Sequence, residues 1–352
     1  LEHQRFRGKG AKLERIDHSR LSGRRLPTEN NPFAGIGSLN SIEVAASNAE
    51  PEGGPKMSEI ACKKLLMPTG GSAEHFFRSD WTLNLYHGCN HGCIYCDSRS
   101  VCYHLEDFDR VRVKHNGLAL LERELRAKKT AGVVSMGAAS DAYNRLEESL
   151  GVSRAALELL LRYGFGVMIP TKSKLIVRDA ALLGDIAKAR YACVAFSLTT
   201  ADTTLAAFLE PGAPPPSARF AAMEALAKAG VFTGTWMNPM LPFLTDTAEN
   251  IRAVLTRTAD AGGRFAICHF GVTLREGDRE YFYRALDGDL RFAGLKARYS
   301  EAFGLRYLCA TPDAQALSDF LTRECDRLGL LSTFSAVNRA AGVREPVQTR
   351  LV

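Results

Sequence analysis

The chain has 352 residues, with 45 Lys and Arg against 39 Asp and Glu, a net charge of +6. Hydrophobic residues make up 46% and charged residues 24%, a globular balance that excludes a wholly disordered or coiled-coil chain and allows one large or two modest domains. No run approaches the roughly 18 apolar residues of a spanning helix, so no membrane association is expected, and the modest positive charge does not mark a nucleic-acid-binding domain.

Residues 1–75 are rich in Gly, Pro, Ser and Asn without a sustained apolar period and read as a disordered or linker-like N-terminal extension. The first twenty residues have no apolar core of the kind a secretory signal needs, which predicts a cytoplasmic location. The chain opens on Leu1 and a more regular sequence begins at Met57, so residues 1–56 are expected to be an upstream extension, an engineered remnant or the product of a misassigned start.

From Trp81 onward, short apolar runs alternate with stretches of helical period. Strands are predicted at 82–86, 132–136, 166–170, 192–198, 232–237 and 265–270. Helices are predicted between them at 116–129, 153–163, 178–189, 217–229 and 247–261. Ser153 is the expected N-cap of its helix, and Gly164 and Gly230 the expected C-terminal stops. Six repeated βα units predict an α/β fold, a partial (β/α)6 barrel of the TIM type over residues 76–275, with functional groups at the C-terminal strand ends. A flat doubly wound sheet is the alternative. Segments 277–299 and 312–328 read as helices of a C-terminal extension, residues 276–352, that closes the open side of the barrel.

The nine cysteines are odd in number and carry no secretory context, which argues against a disulfide framework. Cys89, Cys93 and Cys96 stand together in Tyr86-His87-Gly88-Cys89-Asn90-His91-Gly92-Cys93-Ile94-Tyr95-Cys96-Asp97, a C-x3-C-x2-C spacing just after the first predicted strand. Three thiolates on one short loop suit an iron–sulfur cluster or zinc. Three rather than four protein ligands leave one metal position open, whereas structural zinc closes all four. A structural zinc site completed by His87 or His91 is the non-catalytic alternative.

The motif, with an aromatic just before its third cysteine, resembles the signature of radical S-adenosylmethionine (SAM) enzymes. The wider stretch YHGCNHGCIYCDSRS is similar to the spore photoproduct lyase-like branch, labelled DNA repair photolyases, and the likeness runs from about Trp81 to Leu330. The resemblance implies that Cys89, Cys93 and Cys96 hold a 4Fe–4S cluster whose open iron binds SAM. It implies one-electron cleavage to a 5′-deoxyadenosyl radical that takes hydrogen from a substrate, with nucleic acid a candidate. A donor such as ferredoxin or flavodoxin would supply the electron.

The expected SAM contacts end successive strands. Ser140-Asp141 resembles the element that receives the SAM amino group, and a carboxylate suits an ammonium. Lys172 is a candidate partner for the SAM carboxylate, Ser197 and Thr199 for ribose or carboxylate, and Tyr95 for packing near the adenine. Arg219 and Glu210 are expected as an exposed loop pair of little energetic weight. Asn238, Pro239, Cys268 and His269 are substrate-side candidates, and the basic stretch from Arg110 to Lys129 reads as a solvated helix face.

Two positions depart from the lyase pattern. Gly137-Ala138-Ala139 stands where spore photoproduct lyases carry a hydrogen-donating cysteine just before the Ser-Asp element, and Asp97 where they carry a tyrosine. A radical SAM enzyme acting on a peptide or small metabolite, and a non-catalytic zinc-binding protein, are the rival readings.

Overall fold

The computed structural model describes residues 59–69 and 76–341. Six apolar runs pair side by side in parallel, in the order in which they occur along the chain: β1 (Trp81–Leu83), β2 (Val133–Met136), β3 (Gly166–Thr171), β4 (Ala192–Ser197), β5 (Phe232–Met237) and β6 (Ala266–Cys268). Parallel neighbours need a crossover, and helices supply it. They are α1 (Gly117–Arg126), α2 (Val152–Arg162), α3 (Ala180–Ala189), α4 (Thr203–Leu209), α5 (Pro216–Lys228) and α6 (Ala248–Asp260). This is the partial-barrel arrangement that the repeated βα rhythm predicts.

Strand pleating sorts the side chains. Val167, Ile169, Val194 and Phe196 join the helix-facing core, whereas Met168, Cys193 and Ala195 face Phe77, Phe265 and Ile267 on the other side. β4 is buried at every one of its six positions, as a strand covered on both faces must be. Phe77 packs into this inner cluster, with its ring 5.4 Å from Trp236, 5.4 Å from Phe265 and 5.0 Å from Phe334.

Residues 59–69 depart from the linker-like reading. Leu66–Pro68 pairs antiparallel with β1, and Cys62, Leu65 and Leu66 are buried in the main core. Their apolar period is too short to stand out in sequence, and their partners are distant: the edge of β1, Val113–Lys114 alongside Glu59–Ile60, and Glu124, which accepts from the Leu66 amide at 2.7 Å. Residues 1–58 and 70–75 lie outside the described residues.

Ser153 is not the N-cap of α2. Gly151 holds that position, and Ser153 lies inside the first turn. Its amide donates to Glu147 Oε2 at 2.7 Å, and its hydroxyl donates to the Ala142 carbonyl at 2.6 Å. Gly164 and Gly230 follow their helices in the left-handed region (φ 71° and 79°), as predicted.

The predicted helix at 277–299 is two, α7 (Asp278–Asp287) and α8 (Leu295–Phe303), separated by Gly288 and Gly294. Both contribute to an apolar cluster with Cys93, Ile94 and Tyr95, so they cover the back of the cysteine loop. The helix α9 (Ala314–Leu328) packs against α6, with Leu321 and Cys325 in the main core.

Gly234 on β5 shows how tightly the last strands meet. A β-carbon there would press on the Phe265 carbonyl oxygen and lie 2.7 Å from Cγ of its ring. Gly234→Ala is expected to destabilise the fold by about 1–3 kcal/mol, the usual cost of overpacking, read as a lower urea midpoint with an unchanged slope.

Candidate active site

After β1 the chain enters Tyr86–His87, which pairs antiparallel with Arg112–Lys114, and then the cysteine loop. Gly88 adopts φ 80°, and a β-carbon there would lie 2.5 Å from the Phe108 carbonyl oxygen and 2.8 Å from that of Arg110. Only glycine fits. Backbone bonds hold the loop on every side. Cys89 N donates to Phe108 O (2.9 Å), Ile94 N to Leu209 O (2.9 Å) and Gly212 N to His91 O (2.7 Å). Ser140 Oγ donates to Gly88 O at 2.5 Å, and Arg99 Nε to Cys93 O at 3.3 Å.

Cys89, Cys93 and Cys96 line one cavity of about 290 Å³ at the C-terminal ends of the strands. Tyr95, Ser140, Asp141, Lys172 and Ser197 line it too. Asn238, Pro239 and His269 also reach it, whereas Cys102, Cys268 and Thr199 are not part of the wall. His91 belongs to the wall and His87 does not. Among the described residues, no three His, Cys, Asp or Glu side chains converge as they would on a single metal ion. The loop instead presents three separate sulfurs along one surface.

Burial pushes the Cys89 thiol up to about 12 and raises Cys93 and Cys96 as well. The Lys172 ammonium pulls the latter two back towards thiolate. The thiolate is the ligand form, so a neighbouring cation favours metal binding here.

Two buried carboxylates flank the loop. On one side, Asp141 Oδ2 accepts from His91 Nε2 and Lys172 N, both at 2.8 Å, and Oδ1 accepts from Tyr143 N at 2.8 Å and Thr171 Oγ1 at 2.9 Å. Burial alone would raise the Asp141 carboxyl, but the His91 ring and the Lys172 and Tyr143 amides outweigh it and hold it at about 2. On the other side, Glu210 accepts from the Tyr95 hydroxyl and pairs with Arg219 Nη2 at 2.5 Å. Burial would likewise raise Glu210, yet the Arg219 and Lys172 cations and Tyr95 hold it below its ordinary value. The Lys172 ammonium lies 5.7 Å from the centre of the Tyr95 ring.

The expected exposed pair Glu210–Arg219 is therefore corrected: both residues are 1% exposed. From α5, Arg219 also donates to Ser197 O at 2.9 Å and Pro214 O at 2.8 Å, which ties the end of β4 to the cysteine loop. The basic stretch does not form one solvated face either. Lys114 is buried and Arg112 donates to Glu106 O at 2.6 Å, while Arg110, Arg123, Arg126 and Lys129 are exposed. Sequence reading weighed His91 only as a zinc ligand and missed Thr171. The one local signal was an ionisable ring inside a glycine-flanked loop.

The radical SAM superfamily model matches residues 83–258, half of the chain. An uncharacterized protein of Mycobacterium tuberculosis is 32% identical over 265 residues, covering 73% of this chain and 76% of that protein. The chain belongs to the radical SAM superfamily. An uncharacterized protein of Methanocaldococcus jannaschii is 27% identical over 191 residues, or 53% of this chain and 69% of its own. Spore photoproduct lyase complexed with dinucleoside spore photoproduct superposes with a TM-score of 0.53 at 16% identity, covering 72% of this chain and 76% of that one, a likeness of fold. Membership in the radical SAM superfamily implies an iron–sulfur cluster and SAM, and the donor set fits. Three sulfurs share one wall, a lysine favours the thiolate form of Cys93 and Cys96, and the buried Nδ1 of His91 has no partner.

Arg219→Met leaves Glu210 buried without its cation and is expected to cost about 3–5 kcal/mol in chemical unfolding, most of it recovered in Arg219→Met/Glu210→Gln. Asp141 titrates lower when folded, so its contribution is complete above pH 5 and is lost as the pH falls through about 2. The stability gap between wild type and Asp141→Asn is expected to narrow by about 1 kcal/mol from pH 6 to pH 3, measured by urea unfolding at each pH.

Proposed function

We propose that this radical SAM protein is a spore photoproduct lyase-like enzyme. Cys89, Cys93 and Cys96 would hold a 4Fe–4S cluster, and SAM would be bound in the adjoining cavity. The observation that carries the reading is the meeting, in one cavity at the strand ends, of three thiols with Tyr95, Ser140, Lys172 and Ser197. With both groups bound, the site supplies one-electron cleavage of the sulfonium and a 5′-deoxyadenosyl radical that abstracts hydrogen from substrate.

The chain's own residues do the positioning. Lys172, partly buried beside Cys93, Glu210 and the Tyr95 ring, offers the cation that a carboxylate needs. Ser140 has its hydroxyl proton committed to Gly88 O, which leaves oxygen lone pairs for an ammonium. Ser197 stands at the end of β4, where the Arg219 bond fixes its carbonyl. Tyr95 forms an immobile wall because Glu210 holds its hydroxyl. Apolar surface from Met168 and Trp236 limits water beside these groups, which protects a radical from side reactions.

The substrate side supports a lyase-like reaction with a different hydrogen return. Ala138 and Ala139 line the cavity and have no transferable hydrogen of the thiol kind. Tyr103 also lines it, and its hydroxyl donates to Asp97 Oδ2 at 2.7 Å. Nucleic acid is the first substrate to try, since a relative of this fold has been seen with a dinucleoside photoproduct. A ferredoxin or flavodoxin would serve as reductant.

The test is anaerobic reconstitution with iron and sulfide, then reduction with and without SAM. A reduced-cluster paramagnetic resonance signal that changes on SAM addition, with 5′-deoxyadenosine formed and both lost in Cys93→Ala, is expected. A colourless protein with one zinc and no response to SAM would overturn the reading.

A further inference from the structure

A carboxylate offers about four lone-pair positions. In Asp141 four donors fill them: Tyr143 N, Thr171 Oγ1, Lys172 N and His91 Nε2, all at 2.8–2.9 Å. A ligand ammonium would have to displace one of these. The donors also come from three separate places: the cysteine loop, the turn after β2 and the end of β3. Asp141 is thus the knot that joins the loop to two strand ends.

His91 is the member of that knot with something left to offer. It is 5% exposed, it lines the cavity, and its Nδ1 is buried with no partner. Because Nε2 faces an acceptor-only carboxylate, Nε2 carries the proton and the ring orientation is set. A histidine with one N–H fixed on a carboxylate and the other nitrogen open is the usual arrangement of a ring that serves a bound metal centre or cofactor. An unpartnered buried nitrogen is otherwise unfavourable.

We propose that His91 is the cofactor-facing residue of this pair and that Asp141 is a positioning residue, acting through His91 to clasp the cysteine loop rather than touching SAM itself. The identity of the bound group rests on the radical SAM reading. The clasp does not.

Two measurements test this on the full chain. In the apo protein, amide hydrogen exchange over residues 88–96 is expected to speed up by about tenfold or more in Asp141→Asn and in His91→Phe. His91→Gln keeps a donor for Asp141 and is expected to change exchange far less. In the reconstituted protein, SAM affinity is followed by calorimetry in a double-mutant cycle. Asp141→Asn is expected to weaken SAM by about tenfold alone, and by less than about twofold in the His91→Phe background. Unchanged loop exchange in Asp141→Asn would overturn the proposal. So would an equal loss of SAM affinity in both backgrounds, since that marks a direct contact. A wild-type protein that takes up no cluster and binds no SAM would sink the functional reading, while the apo exchange still decides the clasp.

Discussion

The site depends on one carboxylate buried among its own protein's donors. Asp141 is placed where an unpaired charge would be prohibitively unfavourable, and it is tolerated only because the surrounding groups complete its bonding. That requirement runs in both directions. If the cysteine loop moves, His91 leaves and Asp141 is stranded, so the loop is held as firmly as the buried charge demands. Glu210 repeats the device on the opposite flank through Tyr95 and Arg219. Between the two carboxylates, the three sulfurs have little freedom before any metal arrives.

The barrel makes this possible by bringing strand ends together. Six parallel strands in sequential order deliver Ser140, Thr171, Lys172 and Ser197 to one rim, and β1 delivers the cysteine loop to the same rim. A parallel sheet buried on both faces is rigid through its packed apolar residues, so groups at its rim keep their spacing. The helices α7 and α8 then cover the rear of the loop. Tyr299, Phe282 and Phe303 pack there with Ile94 and Tyr95, and the Tyr299 hydroxyl donates to Pro242 O at 2.7 Å.

Sharing a superfamily does not decide what a member acts on, because function resides in the residues facing the substrate. Two cavity-lining positions differ here from the pattern that the resemblance to the lyase implies. On that resemblance, the Gly137-Ala138-Ala139 stretch stands where the lyase has a donor thiol, and Asp97 where it has a tyrosine. Tyr103 reaches the cavity from six residues further on and bonds to that same Asp97. Arg275 pairs with Asp97 at 3.2 Å and lies over the Tyr307 ring at 4.3 Å, so the tyrosine sits in an organised polar setting.

By itself the sequence determined what neighbours along a chain can encode. Apolar period placed six strands and most of their helices, glycine spacing marked the helix ends at Gly164 and Gly230, and the cysteine spacing pointed to the superfamily to which the chain belongs. Ser140, Lys172 and Ser197 were legible because the ends of parallel strands share a rim. Tertiary structure alone decided the partners. His91 meets Asp141 across 50 positions, and Tyr95 meets Glu210 across 115. Glu210 and Arg219 read as a loop pair until α5 turns the arginine inward, and Leu66 reads as linker until β1 offers an edge. Periodicity is a property of local backbone geometry. Burial of a charge, by contrast, depends on which distant donors the folded sheet brings within reach.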